Sequence, residues 1–140
     1  MRFNDVKTFV NDGLVGLGYG TAGHPAMPAF DPGPPALTQA QKVSPNAIVI
    51  LTLGNGLGLT TEALLDRPFI TVRVAGPQGD YDGAETLAYD IDGLMLAVQS
   101  GMVGTARALY ITRNAPPQLI DLDDSNRYHF QTTYITETKR

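Results

Sequence analysis

The pattern of apolar and polar positions predicts two helices of unequal length. Across residues 82–99, apolar side chains recur at i, i+3, i+4 and i+7 spacing, which is typical of an amphipathic helix: Ala84, Leu87, Ala88, Ile91, Leu94, Met95 and Val98. Asp82 and Glu85 fit an acidic capping box at its start. Near the N-terminus, Asn4 is a candidate cap for a short helix that ends at Asn11-Asp12-Gly13.

Further apolar segments predict strands. Ala47 to Leu53 is a nearly continuous apolar run, as expected for a central strand buried on both faces. Residues 69–74 alternate between apolar and polar, which indicates a half-buried strand. Residues 108–112, 118–122 and 128–138 predict three more strands, with a turn at 114–117 between the first two. The sequence therefore predicts an α+β fold: a mixed or antiparallel sheet packed by one long amphipathic helix and a short N-terminal helix.

A glycine- and proline-rich segment at about residues 13–46 separates the first helix from the first strand. We expect a loop or arm there, either lying partly ordered over the surface or ordering against a neighbouring molecule. The 140 residues fit a single domain spanning 1–140.

Composition narrows the class of protein. Charged residues make up 17% of the chain, apolar residues 43%, and cysteine is absent, so disulfide scaffolds and thiol chemistry are excluded. The net charge is −4 and the ten basic residues are scattered along the sequence, so stable nucleic-acid binding is not expected. The sequence offers neither a signal peptide nor an apolar run long enough to cross a bilayer, and we expect a protein made and kept in the cytoplasm.

Candidate catalytic and ligand-binding motifs are weak. Gly54-Asn55-Gly56-Leu57-Gly58 follows a strand, but it lacks the third glycine of a dinucleotide fingerprint and the lysine of a phosphate loop. The acids at 80–92 are interpreted as a solvated helix face, with Asp82, Glu85 and Asp92 away from the apolar stripe. His24 and His129 stand without metal-ligand partners at short spacing. We therefore expect no catalytic residues, no metal and no cofactor.

Two apolar residues fall outside the apolar stripe of the second helix. Tyr89 and Leu96 are seven residues apart and share the outer strip with Glu85 and Asp92. Single exposed apolar residues are ordinary, but two aligned over two turns are a candidate contact with another subunit.

The stretch Arg67-Pro68-Phe69-Ile70-Thr71-Val72-Arg73-Val74-Ala75-Gly76, followed by Asp80-Tyr81-Asp82-Gly83-Ala84-Glu85, resembles the core of phage tail terminator proteins. These are also known as tail completion or minor capsid proteins of long-tailed bacteriophages. In that family an alternating strand carrying an arginine leads through a short polar turn into an acidic-capped amphipathic helix. The resemblance covers residues 44–138 in the order of elements and 67–98 in detail.

This resemblance implies a non-enzymatic virion protein of the tail or neck, assembled in the host cytoplasm. Such a protein forms a homohexameric ring that caps the head-proximal end of the tail tube, and its partners are further copies of itself, the tail tube protein and the head–tail connector protein. DNA passes through the ring without specific binding, and no membrane is involved. The net charge of −4 and the scattered basic residues of this chain agree with a conduit that lets the duplex slide.

The resemblance also suggests which residues make these contacts. It places Arg73 at a subunit contact, although a strand arginine whose stem packs on its neighbours is an equal alternative. The candidate loops for contact with the tube or connector contain Gly54, Asn55, Gly56, Gly58, Gln78 and Asp80. Three other readings stay open: a head-completion or tube subunit, a small nucleotide-binding α+β enzyme using Gly54–Gly58, and a stand-alone binding module.

Overall fold

A computed structural model describes residues 1–21, 24, 26–32, 37–38, 41, 46–54, 65–66 and 68–139. Within these residues the chain forms two helices and eight strands, which confirms the α+β class: α1 (Phe3–Gly16), β1 (Ala29–Asp31), β2 (Ile48–Gly54), β3 (Leu65–Asp66), β4 (Phe69–Ala75), α2 (Tyr81–Leu96), β5 (Gln99–Val103), β6 (Ala106–Arg113), β7 (Gln118–Leu122) and β8 (Tyr128–Lys139).

The strands form one mixed sheet in the order β1-β2-β4-β8-β6-β5. β1 pairs with β2 in parallel, and the other pairs are antiparallel. The 12-residue strand β8 is long enough for two partners on each edge. β4 and β3 pair with one edge, and β6 and β7 share the other. Because β6 and β7 run in the same direction along that edge, the predicted turn at 114–117 is a connection that does not reverse the chain.

The core lies between the sheet and the two helices. Alternate residues of β4 and β8 face the helices, so Ile70, Val72, Phe130 and Tyr134 are buried, as period-two patterning requires. The helices contribute the opposing apolar layer: Val6, Val10, Leu14, Ala84, Leu87, Ala88, Ile91 and Met95. On the other face of the sheet, Ile48 and Ile50 pack with Leu37. This contact confirms that the first half of β2 is buried on both faces.

α1 differs from the sequence prediction at both ends. It begins at Phe3 with Arg2 as its cap residue, because the Asp5 carboxylate accepts a hydrogen bond from the Arg2 backbone N–H at 2.8 Å. The prediction that Asn4 caps the helix is therefore wrong. The helix also continues through Gly13, whose missing side chain leaves room for Leu94 of α2; a Cβ there would lie 2.6 Å from Leu94 Cδ1. Gly13 is thus a point of close helix contact rather than a terminator.

α2 begins one residue earlier and ends three residues earlier than predicted. Its cap is Asp80, whose Oδ1 accepts a hydrogen bond from Gly83 N–H at 2.8 Å, so the capping box of Asp82 and Glu85 is wrong. The chain leaves the helix after Leu96 and enters β5, a strand that the sequence prediction missed. Gly76 allows α2 to approach β4, because a Cβ on Gly76 would lie 2.3 Å from Ala84 Cβ.

The segment predicted as an irregular arm contains regular structure. α1 extends four residues into it, through Gly16, and β1 adds a parallel strand to β2. Tyr19 donates a hydrogen bond to the Asp90 carboxylate of α2. These described parts of the segment are therefore tied to the helix layer and the sheet.

Candidate functional site

His129 of β8 lies buried on the sheet face opposite the helices and makes hydrogen bonds through both ring nitrogens. Its Nδ1 accepts a hydrogen bond from Arg73 Nε at 3.0 Å, so the ring proton must sit on Nε2. Nε2 in turn donates to Asp123 Oδ2 at 2.7 Å. Both ring nitrogens are therefore engaged within the chain, and His129 links β4, β8 and the turn before β8 rather than serving as a free base.

The Asp123 carboxylate organises the turn between β7 and β8. Its Oδ1 accepts hydrogen bonds from the backbone N–H groups of Ser125 and Arg127, at 2.9 and 3.0 Å. Burial would raise the pKa of Asp123, but the hydrogen bonds from His129 and from these backbone groups outweigh it and lower the pKa below 3.8. The carboxylate is therefore held ionised in this turn.

Arg73, the predicted subunit contact, has its guanidinium engaged within the chain. Besides its hydrogen bond to His129, its Nη2 lies 4.0 Å from Asp121 Oδ2 on β7. Its side chain is 18% exposed, whereas that of Asp121 is 52% exposed. The arrangement anchors one end of β7 to β4, and a subunit contact through Arg73 stays a prediction.

Asp92 lies buried beneath the outer strip of α2, contrary to the prediction of a solvated acid. It forms a two-pronged ion pair with Arg113 of β6, at 2.8 and 3.0 Å, and accepts a hydrogen bond from Tyr134 Oη at 2.8 Å. Burial, followed by the hydrogen bond to Asp92, raises the pKa of Tyr134 well above its ordinary value. This cluster fastens α2 to the sheet.

The outer flank of α2 carries exposed apolar residues on either side of Asp92. Tyr89 and Leu96 are 46% and 37% exposed, which agrees with their predicted outward position. At the start of the same helix, Tyr81 is also exposed, and its ring packs edge-on against Tyr128 and Phe130 of β8 at centroid distances of 5.1 and 5.5 Å.

β7 presents apolar side chains that the sequence analysis did not single out. Leu119, Ile120 and Leu122 are 47%, 45% and 50% exposed. Leu119 pairs with Phe130 and Leu122 with Tyr128, so both project on the face that carries α2. The ladder is irregular between Leu119 and Asp121, which leaves Ile120 as an extra residue on the opposite face. Both faces of this short strand therefore expose apolar surface.

The predicted contact loops fall in two places. Gln78 and Asp80 belong to the turn before α2, which lies beside the turn before β8: Gly79 N–H donates to Asn126 O at 2.7 Å, and Gln78 Nε2 donates to Ser125 O at 3.1 Å. Gly54 is the exposed last residue of β2. The remaining three predicted positions lie outside the described residues: Asn55, Gly56 and Gly58.

Arg127 is a buried cation that the sequence analysis missed. Its guanidinium donates to three backbone carbonyls: to Gly76 O at 2.9 Å, to Asn46 O at 3.1 Å and to Gln41 O at 3.2 Å. Burial lowers its pKa, and the charge of Asp123 partly offsets that effect. Arg127 thus joins the glycine- and proline-rich segment to the turn after β4.

The depressions on the described surface are shallow. One of about 280 Å³ lies on the outer sheet face, and its walls carry uncharged side chains, among them Phe69, Gln118, Ile120, Gln131 and Thr133. In the part of the chain that the structure describes, no three histidine or acidic residues are grouped so that they would hold a metal ion. Neither α1 nor α2 has the length and apolar character to span a membrane.

The described residues therefore combine polar side chains held by hydrogen bonds within the chain with apolar side chains exposed on β7 and α2. A comparison of the sequence with protein-family models and a second comparison with curated proteins both find no match.

Proposed function

We propose that this chain is a structural subunit of a phage tail, a tail terminator that assembles into a ring. The ring caps the head-proximal end of the tail tube and meets the head connector. The observation that carries the proposal is the apolar surface left exposed on β7 and on the outer flank of α2. Apolar surface of this kind, on an anchored strand and helix, is typical of a protein that buries it against a partner.

The resemblance in sequence supplies the identity of that partner. The strand with Arg73, the polar turn at 76–80 and the helix that starts at Tyr81 are the elements on which the likeness to tail terminators rests. They lie in consecutive order and pack against each other through Gly76. We infer that further copies of the chain cover the exposed flank, and that tube and connector contact the two ends of the ring.

The first test is the mass of the purified protein over a concentration series, measured by light scattering after size exclusion. A discrete ring, or a monomer that closes into one as concentration rises, supports the proposal. Open polymers would instead indicate a tube subunit. If the purified chain stays monomeric, the next test is whether it caps tube ends. Added to polymerising tube protein, it should stop elongation. Tubes of unchanged length in electron micrographs would refute the terminator proposal.

A paired substitution tests the contact on the helix. Tyr89→Ser with Leu96→Ser removes the exposed apolar pair of α2 without touching the core, so we expect a folded chain that assembles less. Val15→Ser is the matched control, because Val15 is also an exposed apolar residue on a helix but lies on α1. Equal assembly of both variants would exclude the α2 flank as the contact.

A further inference from the structure

Arg73 lies between two acceptors on the sheet face opposite the helices. Its Nε donates to His129 Nδ1 of β8 at 3.0 Å, and its Nη2 lies 4.0 Å from Asp121 Oδ2 of β7. The first contact has the length of an ordinary hydrogen bond, whereas the second is too long to be one. Arg73 is therefore hydrogen-bonded to β8 and lies one small side-chain movement away from a close ion pair with β7.

The hydrogen bond between Arg73 and His129 exists in one protonation state of the imidazole only. A ring nitrogen that accepts a hydrogen bond needs a free lone pair, and both ring nitrogens carry protons in the imidazolium ion. A proton that binds Nδ1 therefore removes the acceptor and leaves two positively charged N–H donors facing each other. A guanidinium has five donors and no acceptor, so Arg73 has to leave a protonated His129.

The other ring nitrogen of His129 keeps its partner in both states. Nε2 donates to Asp123 Oδ2 at 2.7 Å, and it still carries a proton in the imidazolium ion. Burial would raise the pKa of Asp123, but its hydrogen bonds outweigh that effect and lower the pKa below 3.8, so this carboxylate is anionic wherever a histidine titrates. Protonation therefore leaves the contact with Asp123 in place and breaks the contact with Arg73.

The charges around His129 match the protonated arrangement. Charged side chains come from the elements around the ring: Arg73 of β4, Asp121 of β7, Asp123 of the turn, Arg127 of β8 and Asp31 of β1. Asp31 stands in the same row as Arg73, with Ile50 of β2 between them. Arg127 is buried and donates to backbone carbonyls. The imidazolium and the Arg73 guanidinium thus have one carboxylate each, Asp123 for the ring and Asp121 for the guanidinium.

We propose that protonation of His129 transfers Arg73 from β8 to β7. When a proton from water binds His129 Nδ1, the guanidinium moves to Asp121 and joins β4 directly to β7. The edge strand that carries the exposed apolar residues is thereby held differently in acid and in neutral solution. This inference goes beyond the proposed function, because the exchange takes place within one chain whether or not the chain assembles.

Nuclear magnetic resonance of the full chain labelled with ¹⁵N tests the exchange. Histidine ordinarily changes charge between about pH 5 and 8, so the titration covers that range. The chain has two histidines, and His24→Gln assigns the remaining ring signals to His129. At the upper end Nδ1 should carry no proton, and Arg73 Nε–H, assigned with Arg73→Lys, should be protected from exchange with water. As pH falls, Nδ1 should gain a proton, and the Arg73 signal should move with the same midpoint and stay protected, because Asp121 now accepts.

Two variants separate the steps of the exchange. Asp121→Asn removes the charge of the second acceptor at a position that is 52% exposed, so the ring should still titrate while Arg73 Nε–H loses its protection in acid. His129→Gln removes the titrating ring, so the Arg73 signal should not respond to pH. Asp82→Asn is the matched control: it removes the same charge from α2, on the other face of the sheet, and should leave both titrations as in the wild type.

Three results would overturn the proposal. An Arg73 signal that stays fixed while His129 titrates shows that the guanidinium does not leave the ring. A His129 ring that stays neutral until the chain unfolds shows that the exchange does not operate in the folded protein. An Arg73 signal that stays protected in acidic Asp121→Asn shows that a group other than Asp121 receives it. None of these results bears on ring formation, which light scattering decides separately.

Discussion

Replacing Arg127 by methionine should destabilise the protein by about 2–4 kcal/mol, because one side chain satisfies three backbone carbonyls. Arg127 is fully buried and donates to Gly76 O, Asn46 O and Gln41 O at 2.9, 3.1 and 3.2 Å. Methionine keeps most of the apolar stem and the volume of the side chain. The change therefore removes the guanidinium while creating little new cavity.

The magnitude follows from two opposing effects. A hydrogen bond to a charged group contributes about 1.5–3 kcal/mol, so three contribute roughly 4.5–9 kcal/mol in total. Removing the cation from the interior returns several kcal/mol of desolvation cost. The carbonyls of Gln41 and Asn46 are only partly buried and regain some hydration. The net loss is about 2–4 kcal/mol.

Equilibrium unfolding in urea measures this loss, with the slope of the transition compared between variants. Arg127→Lys is the matched control: it keeps a positive charge, but a single ammonium group lacks the planar fork that reaches three carbonyls, so it should also be destabilised. A free energy of unfolding for Arg127→Met within about 0.5 kcal/mol of the wild-type value would refute the reasoning, since surface substitutions commonly fall in that range.

Three further predictions concern other parts of the fold. Gly76→Ala should lower the free energy of unfolding by about 1–3 kcal/mol, because the new Cβ would lie 2.3 Å from Ala84 Cβ of α2. Gly93→Ala should raise the free energy of unfolding by up to about 1 kcal/mol, because its Cβ would meet nothing within 4 Å. Thermal melts of the two variants test the difference. Asp92→Asn should lower the free energy of unfolding in urea by about 2 kcal/mol, because it weakens the ion pair with Arg113 of β6. An unchanged free energy of unfolding would contradict the buried cluster. Hydrogen bonds lower the pKa of Asp5, against the opposing effect of burial, as they do for Asp123. Both carboxylates therefore add stability above pH 3.8 that is lost as pH falls through their lower folded-state pKa values, and a stability that stays flat from pH 5 to pH 2 would refute this.

The elements with strong periodicity could be predicted from the sequence, whereas their ends could not. The apolar stripe from Ala84 to Met95 and the alternation in β4 and β8 depend on neighbours close in sequence, so the pattern reveals them. Asp80 and Asp82 are two candidate caps two residues apart, and the choice depends on which carboxylate reaches the Gly83 N–H. β5 was missed because Val98, the residue just before it, also continues the helical spacing.

The polar links and the exposed side chains of β7 depend on contacts that are distant in sequence. Arg73 and His129 are 56 residues apart, and Asp92 is buried because Arg113 reaches it from another element. Leu119, Ile120 and Leu122 have the composition of a core strand, so composition alone predicts burial. Their exposure follows from the position of β7 at an edge of the sheet, which only the pairing of β8 with four other strands reveals.

The hydrogen bonds of His129 bear directly on the exposed apolar surface of β7. β7 is a five-residue edge strand with an irregular ladder, and such a strand would move easily if its pairing with β8 were its sole support. Two links fix its C-terminal end: Asp121 lies near Arg73, and Asp123 just beyond the strand binds His129. A surface held in its binding conformation loses less entropy when a partner docks. Substituting His129 by glutamine should therefore weaken self-association more than it weakens folding, because it loosens β7 while leaving the helix-facing core intact. Light scattering measures the association constant of this variant, and unfolding in urea measures its stability. If stability falls while the association constant does not change, the hydrogen bonds of His129 serve the fold alone.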